Sequence, residues 1–137
     1  MGSEADVVRR LTDEVFIDGN FEHWDDLIAD DFVDHDPMPE QATDKDGQRQ
    51  MAEMVLATFS DRKFDSDDYL ETTDGRVVEN WWFHGRHTGE AMGFPPSGQE
   101  VVVRGIEIWR IANGKIAERW GVIDITDVLQ KAGLMPA

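Results

Sequence analysis

Three acidic side chains near the C-terminus, Glu107, Glu118 and Asp124, fall at strand spacing beside Trp109 and Trp120. Asn113-Gly114 lies among them, and Asn-Gly is the strongest short signal for a two-residue hairpin turn. Counting outward from Ala112 opposite Lys115 puts Val103, Gly105, Glu107, Trp109 and Ile111 on one sheet face, since side chains alternate along a strand. Ile116, Glu118, Trp120, Val122 and Asp124 join them from the second strand. An acid among aromatic and aliphatic groups loses hydration, which favours the protonated form and suits general acid or base work. The competing expectation is that Glu107 and Glu118 pair with arginines at the sheet rim. The opposite face carries Val102, Arg104, Ile106, Ile108 and Arg110 with Ala117, Arg119, Gly121 and Ile123. A β-bulge in either strand would exchange the two sets of the second strand.

The histidines offer the other proton-carrying groups. His84 and His87 are three apart on a strand, so they leave opposite faces and cannot chelate one metal. His87 shares the parity of Trp81 and Phe83 and precedes a Gly-Pro loop at the mouth of the sheet; it is either a satisfied structural residue or a pocket group. His35 lies between Asp34 and Asp36, yet nothing else at ligand spacing supports a metal there. It too is read as structural or as a pocket group. His23 is a helix-surface residue, and Arg86 either pairs with surface acids or reaches an anionic ligand.

Elements that could position these groups follow from periodicity. Val7, Val8, Leu11 and Val15 predict an amphipathic helix over 5–18, capped by Ser3 or Asp6 and ended by Gly19-Asn20. A short helix is expected over 22–29, then an extended Phe32-Val33-Asp34-His35 and a proline loop. A third helix over 44–59 presents Met51, Met54, Val55, Thr58 and Phe59, with the methionines as core filler. Beyond Asp61 the period becomes two. Strands are expected over 63–73 and 76–88 around Asp74-Gly75, then over 101–111 and 115–124 around Asn113-Gly114, with a helix over 125–131. Helices followed by hairpins imply an α+β domain in which a curved antiparallel sheet wraps over three N-terminal helices. No repeat, linker or low-complexity segment suggests a second domain within 1–137.

Several of these segments recur together in a known family. Phe32-Val33-Asp34-His35, Gly85-Arg86-His87-Thr88-Gly89-Glu90 with Gly93-Phe94-Pro95-Pro96, and Arg110-Ile111-Ala112-Asn113-Gly114-Lys115-Ile116-Ala117-Glu118-Arg119-Trp120 resemble the SnoaL-like polyketide cyclases. Asp124 and Leu129-Gln130-Lys131-Ala132-Gly133 extend the match over nearly the whole chain. The resemblance implies a cone-shaped α+β barrel of the nuclear-transport-factor-like superfamily, a deep apolar pocket and a homodimer through the sheet. It also implies aldol ring closure of an aromatic polyketide ester without metal or cofactor, with an aspartate as base and a histidine assisting. The sequence departs there: Gly121 stands where that aspartate is expected and Glu107 where the histidine is expected. The second acid of the pattern remains as Asp124.

Losing a general base removes about 10² to 10⁴ in rate, so Glu107 or Asp124 must replace it. The two are four residue pairs apart, about 14 Å at about 3.4 Å per residue. One therefore acts alone, partnered by His87 or His35, in a pocket lined by Trp120, Trp109, Val103, Val122, Phe94 and Met54. The first reading is a cofactor-independent enzyme acting on a small apolar carbonyl or ester compound. The second is a non-catalytic binding protein of the same fold. An apolar stripe of Val102, Ile106, Ile108 and Ile123 on the opposite face supports the dimer.

Charge sets the surroundings. The chain has 29 acidic against 13 basic residues in 137, a formal charge of −16, which argues against a grip on nucleic acid or anionic lipid. The 40% hydrophobic content excludes wholesale disorder. With no cysteine, disulfides and thiol nucleophiles are excluded. No long apolar run or signal-like N-terminus is present, so no membrane association is expected and a cytoplasmic location is. Asp exceeds Glu 18 to 11 and Arg exceeds Lys 9 to 4, as expected of a halophile's protein, where salt screens self-repulsion.

Overall fold

Ser3 opens the first helix, α1 (Glu4–Arg10), through a capping box. Its hydroxyl accepts from the Asp6 N–H, and its own N–H donates to the Asp6 carboxylate at 2.9 Å, satisfying amides that a helix start leaves unpaired. The structure, a computed structural model, describes residues 3–90 and 93–136, apart from the side chains of 66 and 67. Sequence spacing predicts one α-helix to residue 18, but from Leu11 to Ile17 the chain winds as a π-helix. The wider turn brings Leu11, Thr12 and Phe16 to one cavity wall, the last two four residues apart along it.

The short helix α2 (Trp24–Leu27) runs directly into strand β1 (Ile28–Asp34), which starts earlier than the extended segment predicted from Phe32. Helix α3 (Lys45–Thr58) is capped by the Asp44 carboxylate, which accepts from Gly47 N at 3.0 Å. Strands β2 (Phe59–Glu71), β3 (Arg76–His87), β4 (Glu100–Ala112) and β5 (Lys115–Asp124) follow, and α4 (Thr126–Lys131) ends the fold. Among the described residues, no helix is long and apolar enough to cross a membrane.

The strands form one five-stranded sheet in the order β1-β5-β4-β3-β2. Four of them are an antiparallel meander, as expected. β1 is a correction to an all-antiparallel sheet, because it lies parallel to β5, pairing Val33 with Glu118 and Asp34 with Arg119. A parallel neighbour needs a long crossover, and here α3 and three strands intervene.

Both hairpin turns fall where expected, with one difference. Asn113 and Gly114 take φ of 53° and 75°, the left-handed pair of a type I′ turn. At the other turn Thr72 N donates to Arg76 O at 2.8 Å, so the loop spans Thr73, Asp74 and Gly75, with the third residue at φ 86°.

The decisive departure lies just beyond Asn113-Gly114. Ala112 faces Lys115 and Ile111 faces Ile116, but the next pair is Arg110 with Glu118. Ala117 is a bulge, and one extra residue turns the rest of β5 over. Arg119, Gly121 and Ile123 thereby join Glu107 and Trp109 on the inner face. Glu118, Trp120, Val122 and Asp124 go to the outer face, opposite to the expectation from the turn alone.

Two apolar clusters hold the helices to this inner face. In one, Val8, Leu11, Val15, Trp24, Leu27, Ile28 and Phe32 pack on Val77, Trp109 and Ile116. In the other, Phe59, Trp81, Phe83, Val101 and Val103 pack on Val128 of α4. Between the clusters the sheet and α3 stand apart.

Candidate functional site

The gap between the clusters is a cavity of about 80 Å³, several times the space one water needs. Its walls are apolar: Phe16, Met38, Met51, Met54, Val55, Phe59, Phe64, Phe83, Val103, Ile123 and Ile125 take part. Methionines at a cavity wall let it change shape around a ligand. Against this lining stand a few polar groups, namely Glu79, Glu107 and Arg119 from the sheet with Thr12 and Gln48 from the helices.

Glu79 and Glu107 face each other directly across β3 and β4, at 2% and 8% exposure. Glu107 Oε1 accepts from Trp81 Nε1 at 2.8 Å, and its Oε2 accepts from Arg119 Nε. Glu79 Oε1 accepts from Trp109 Nε1 and its Oε2 from the Tyr69 hydroxyl, both at 3.2 Å. Arg119 is 3% exposed and donates through Nη1 to Asp34 Oδ1 at 2.9 Å and to the Asp36 carbonyl at 3.0 Å. Burial alone would lower the Arg119 pKa, but Glu107 and Asp34 outweigh it and hold the guanidinium charged. Glu107 thus pairs with an arginine as the competing expectation had it, though deep inside rather than at the rim, while Glu118 pairs with Arg110 on the half-exposed outer face.

Two glycines make this arrangement possible. A Cβ on Gly105 would lie 2.2 Å from the Trp81 ring, so its absence lets the indole lie across β4 and reach Glu107. A Cβ on Gly121 would lie 2.9 Å from both Arg119 Nη2 and Glu107 Cγ. The space above Gly121 is therefore filled by Glu107, reaching over from the partner strand with which it is paired.

The other expected site residues divide by face. Trp109, Val103 and Met54 line the cavity. Asp124 does not: it is exposed on the outer face, and the Thr126 hydrogen bonds at the start of α4 hold its pKa below the usual aspartate value. Trp120 is also outside, stacked on His35 with ring centroids 4.7 Å apart. His35 Nε2 meets Glu118 Oε2 at 2.6 Å, and Arg110 pairs with the same carboxylate; these contacts with His35 and Arg110 lower the Glu118 pKa. Val122 is 77% exposed. All four assignments to the pocket fail for one reason, the bulge at Ala117, which reverses β5 and leaves His35 stacked on a tryptophan outside.

His87 is on the inner face and fully buried, but it is not a cavity wall. It packs on Phe59 and Phe94, and its Nδ1 accepts from Ser97 N at 3.4 Å. Burial pushes its pKa down, only partly opposed by a hydrogen bond with the Gly89 backbone. Phe94 likewise packs on His87 instead of lining the cavity. His84 points the other way, 3.1 Å from Asp65. Arg86 pairs with Glu100 at 3.3 Å and Asp61 at 3.8 Å, the surface-acid alternative. Among the described residues no three His, Asp or Glu side chains are placed to share a metal ion.

Sequence reasoning missed Glu79, Arg119, Asp34 and Gln48. Glu79 was accessible to it, as an acid at the parity of Val77, Trp81 and Phe83. Gln48 stands one turn before Met51 and Ala52 on the buried side of α3. Arg119 and Asp34 depend on the bulge and the parallel strand, for which no local signal exists.

The family model for the SnoaL-like polyketide cyclases matches residues 6–132. The chain belongs to that family. IdmH from Streptomyces antibioticus is 28% identical with a TM-score of 0.80, over 96% of this chain and 99% of that one. TsrD from Streptomyces laurentii, at 23% identity and TM-score 0.80 over 98% and 100%, shares the fold. So does a SnoaL-like polyketide cyclase from Agrobacterium tumefaciens, at 17% identity and TM-score 0.75 over 96% and 98%. No curated protein matches the sequence.

Proposed function

We propose that this SnoaL-like chain catalyses cofactor-independent proton transfer on a small apolar carbonyl or ester compound held in the inner cavity. The observation that carries this reading is the Glu107 carboxylate, set in an apolar cavity over Gly121 and oriented by Trp81. Glu107 takes a proton from the carbon beside the carbonyl, and the electron pair moves to the carbonyl oxygen. Arg119, charged and lining the same cavity, stabilises that developing enolate. The enolate carbon then attacks a second carbonyl of the same molecule, and the new alkoxide takes the proton back from Glu107. Glu107→Gln is expected to lower kcat about 10² to 10⁴-fold with little change in KM, assayed on esters that carry two carbonyls able to close a ring. Equal turnover by wild type and variant would overturn the assignment.

One observation favours the second reading, a binding protein. Arg119 already pairs with both Glu107 and Asp34, as a purely structural buried network would. On that reading wild type shows no turnover, and Glu107→Gln leaves ligand affinity within a few-fold.

We also propose that the outer sheet face pairs two copies of the chain. Trp82, Val102, Ile106 and Val122 are exposed there. This stripe keeps Val102 and Ile106 of the expected one and has Trp82 and Val122 where Ile108, which is half-buried, and Ile123, which faces inward, were expected. Ile106→Glu is expected to shift sedimentation from dimer to monomer; a monomeric wild type would refute the pairing.

A further inference from the structure

Gln48 is 2% exposed, lines the cavity from α3, and its Oε1 has no hydrogen-bond partner. Its backbone is accounted for, since Gln48 N donates to Asp44 O at 3.1 Å within the helix. The side chain thus carries a fully buried, unpartnered acceptor on a residue that lines the cavity. A buried polar atom without a partner destabilises the protein that carries it, and leucine or methionine would fill the same volume without that penalty. The groups across the cavity do not supply the missing donor. Glu79 and Glu107 accept from the two tryptophans, and the Nε and Nη1 of Arg119 are engaged by Glu107, Asp34 and the Asp36 carbonyl.

We infer that Gln48 is a specificity-determining residue whose Oε1 accepts a hydrogen bond from a hydroxyl of the bound compound. The compound then has two polar ends, a carbonyl toward Glu107 and a hydroxyl toward α3, joined by an apolar body against the methionines and phenylalanines. A site built around a hydrogen bond rejects the analogue that lacks the donor, because the site's own polar atom is then left unpaired. This inference rests on the cavity being the ligand site of the proposed function, but not on catalysis there.

The test is calorimetric titration of the whole chain with 3-hydroxyacetophenone and with acetophenone, in wild type, Gln48→Leu and Gln48→Met. Wild type is expected to bind the hydroxylated probe about tenfold more tightly, and both variants to bind the two probes alike. Without ligand, the variants should melt at or above the wild-type temperature, whereas a structural glutamine would make them melt lower. Equal affinities in wild type, no binding of either probe, or variants that keep the preference or fail to fold would each overturn the inference. Failure of the catalytic reading looks different: no turnover by wild type, with the tenfold preference intact.

Discussion

Two triads built from nearly the same residue types stand back to back on this sheet. Inside, Arg119 joins Glu107 and Asp34, with side chains 4%, 10% and 2% exposed. Outside, Glu118 joins Arg110 and His35, at 24%, 38% and 40%. Their members are sequence neighbours, Asp34 beside His35 and Glu118 beside Arg119, so a single pleat separates them. The outer triad has the histidine and the tryptophan stack that look like chemistry in a sequence, but it faces water. The inner triad has a cavity, and its charges cannot be exchanged for hydration. What distinguishes a candidate site from a surface ion pair here is the side of the sheet, and that is set by one bulged residue.

Exchanging the two neighbours, Glu118→Arg with Arg119→Glu, is the strongest way to break the distinction. It puts a third carboxylate inside beside Glu107 and Asp34 with no arginine between them, and is expected to abolish cooperative unfolding followed by circular dichroism. Removing one arginine from each triad separates them by magnitude. Arg119→Met leaves two buried carboxylates uncompensated and should lose about 3–5 kcal/mol in denaturant unfolding. Arg110→Met should lose less than about 1 kcal/mol. Gly121→Ala places a methyl against Arg119 and Glu107, with an expected loss of about 1–3 kcal/mol.

Acid sharpens the comparison further. His87 has its folded pKa below the ordinary 6.5, so its contribution is complete above about pH 6.5 and is lost as pH falls toward the folded value. Glu118 is also depressed, from 4.5, so the outer pair weakens only at lower pH. Chemical denaturation should show stability declining just below pH 6.5 in wild type, with that first decline absent in His87→Phe. Salt gives the smallest effect. At about 1 M KCl, where the screening length is about 3 Å, the Arg110→Met difference should shrink and the Arg119→Met difference persist. The melting temperature of the whole chain should meanwhile rise, as the repulsion of its −16 charge is screened.

The fold was largely legible because its signals are local. Helical spacing in Val8, Leu11 and Val15, alternation in β3 and the Asn113-Gly114 turn each act within a few residues. The inner face was legible only for β3 and β4, where Trp81, Val103, Glu107 and Trp109 keep strict alternation. A turn fixes register only until the first irregularity, and Ala117 comes two pairs later. The pairing of Asp34 with Arg119 joins residues 85 apart, and no pattern within either segment announces it.

That separation bears on the order in which the chain assembles. β2–β3 and β4–β5 close over tight turns and β3–β4 over the segment 88–99, whereas β1 must find β5 across most of the sequence, a slow kind of contact. β1 is therefore expected to dock after the folding barrier is crossed, leaving Arg119 paired with Glu107 but not yet with Asp34. Asp34→Asn should then accelerate unfolding while barely slowing refolding. The strand that completes the site from behind would act as its kinetic latch.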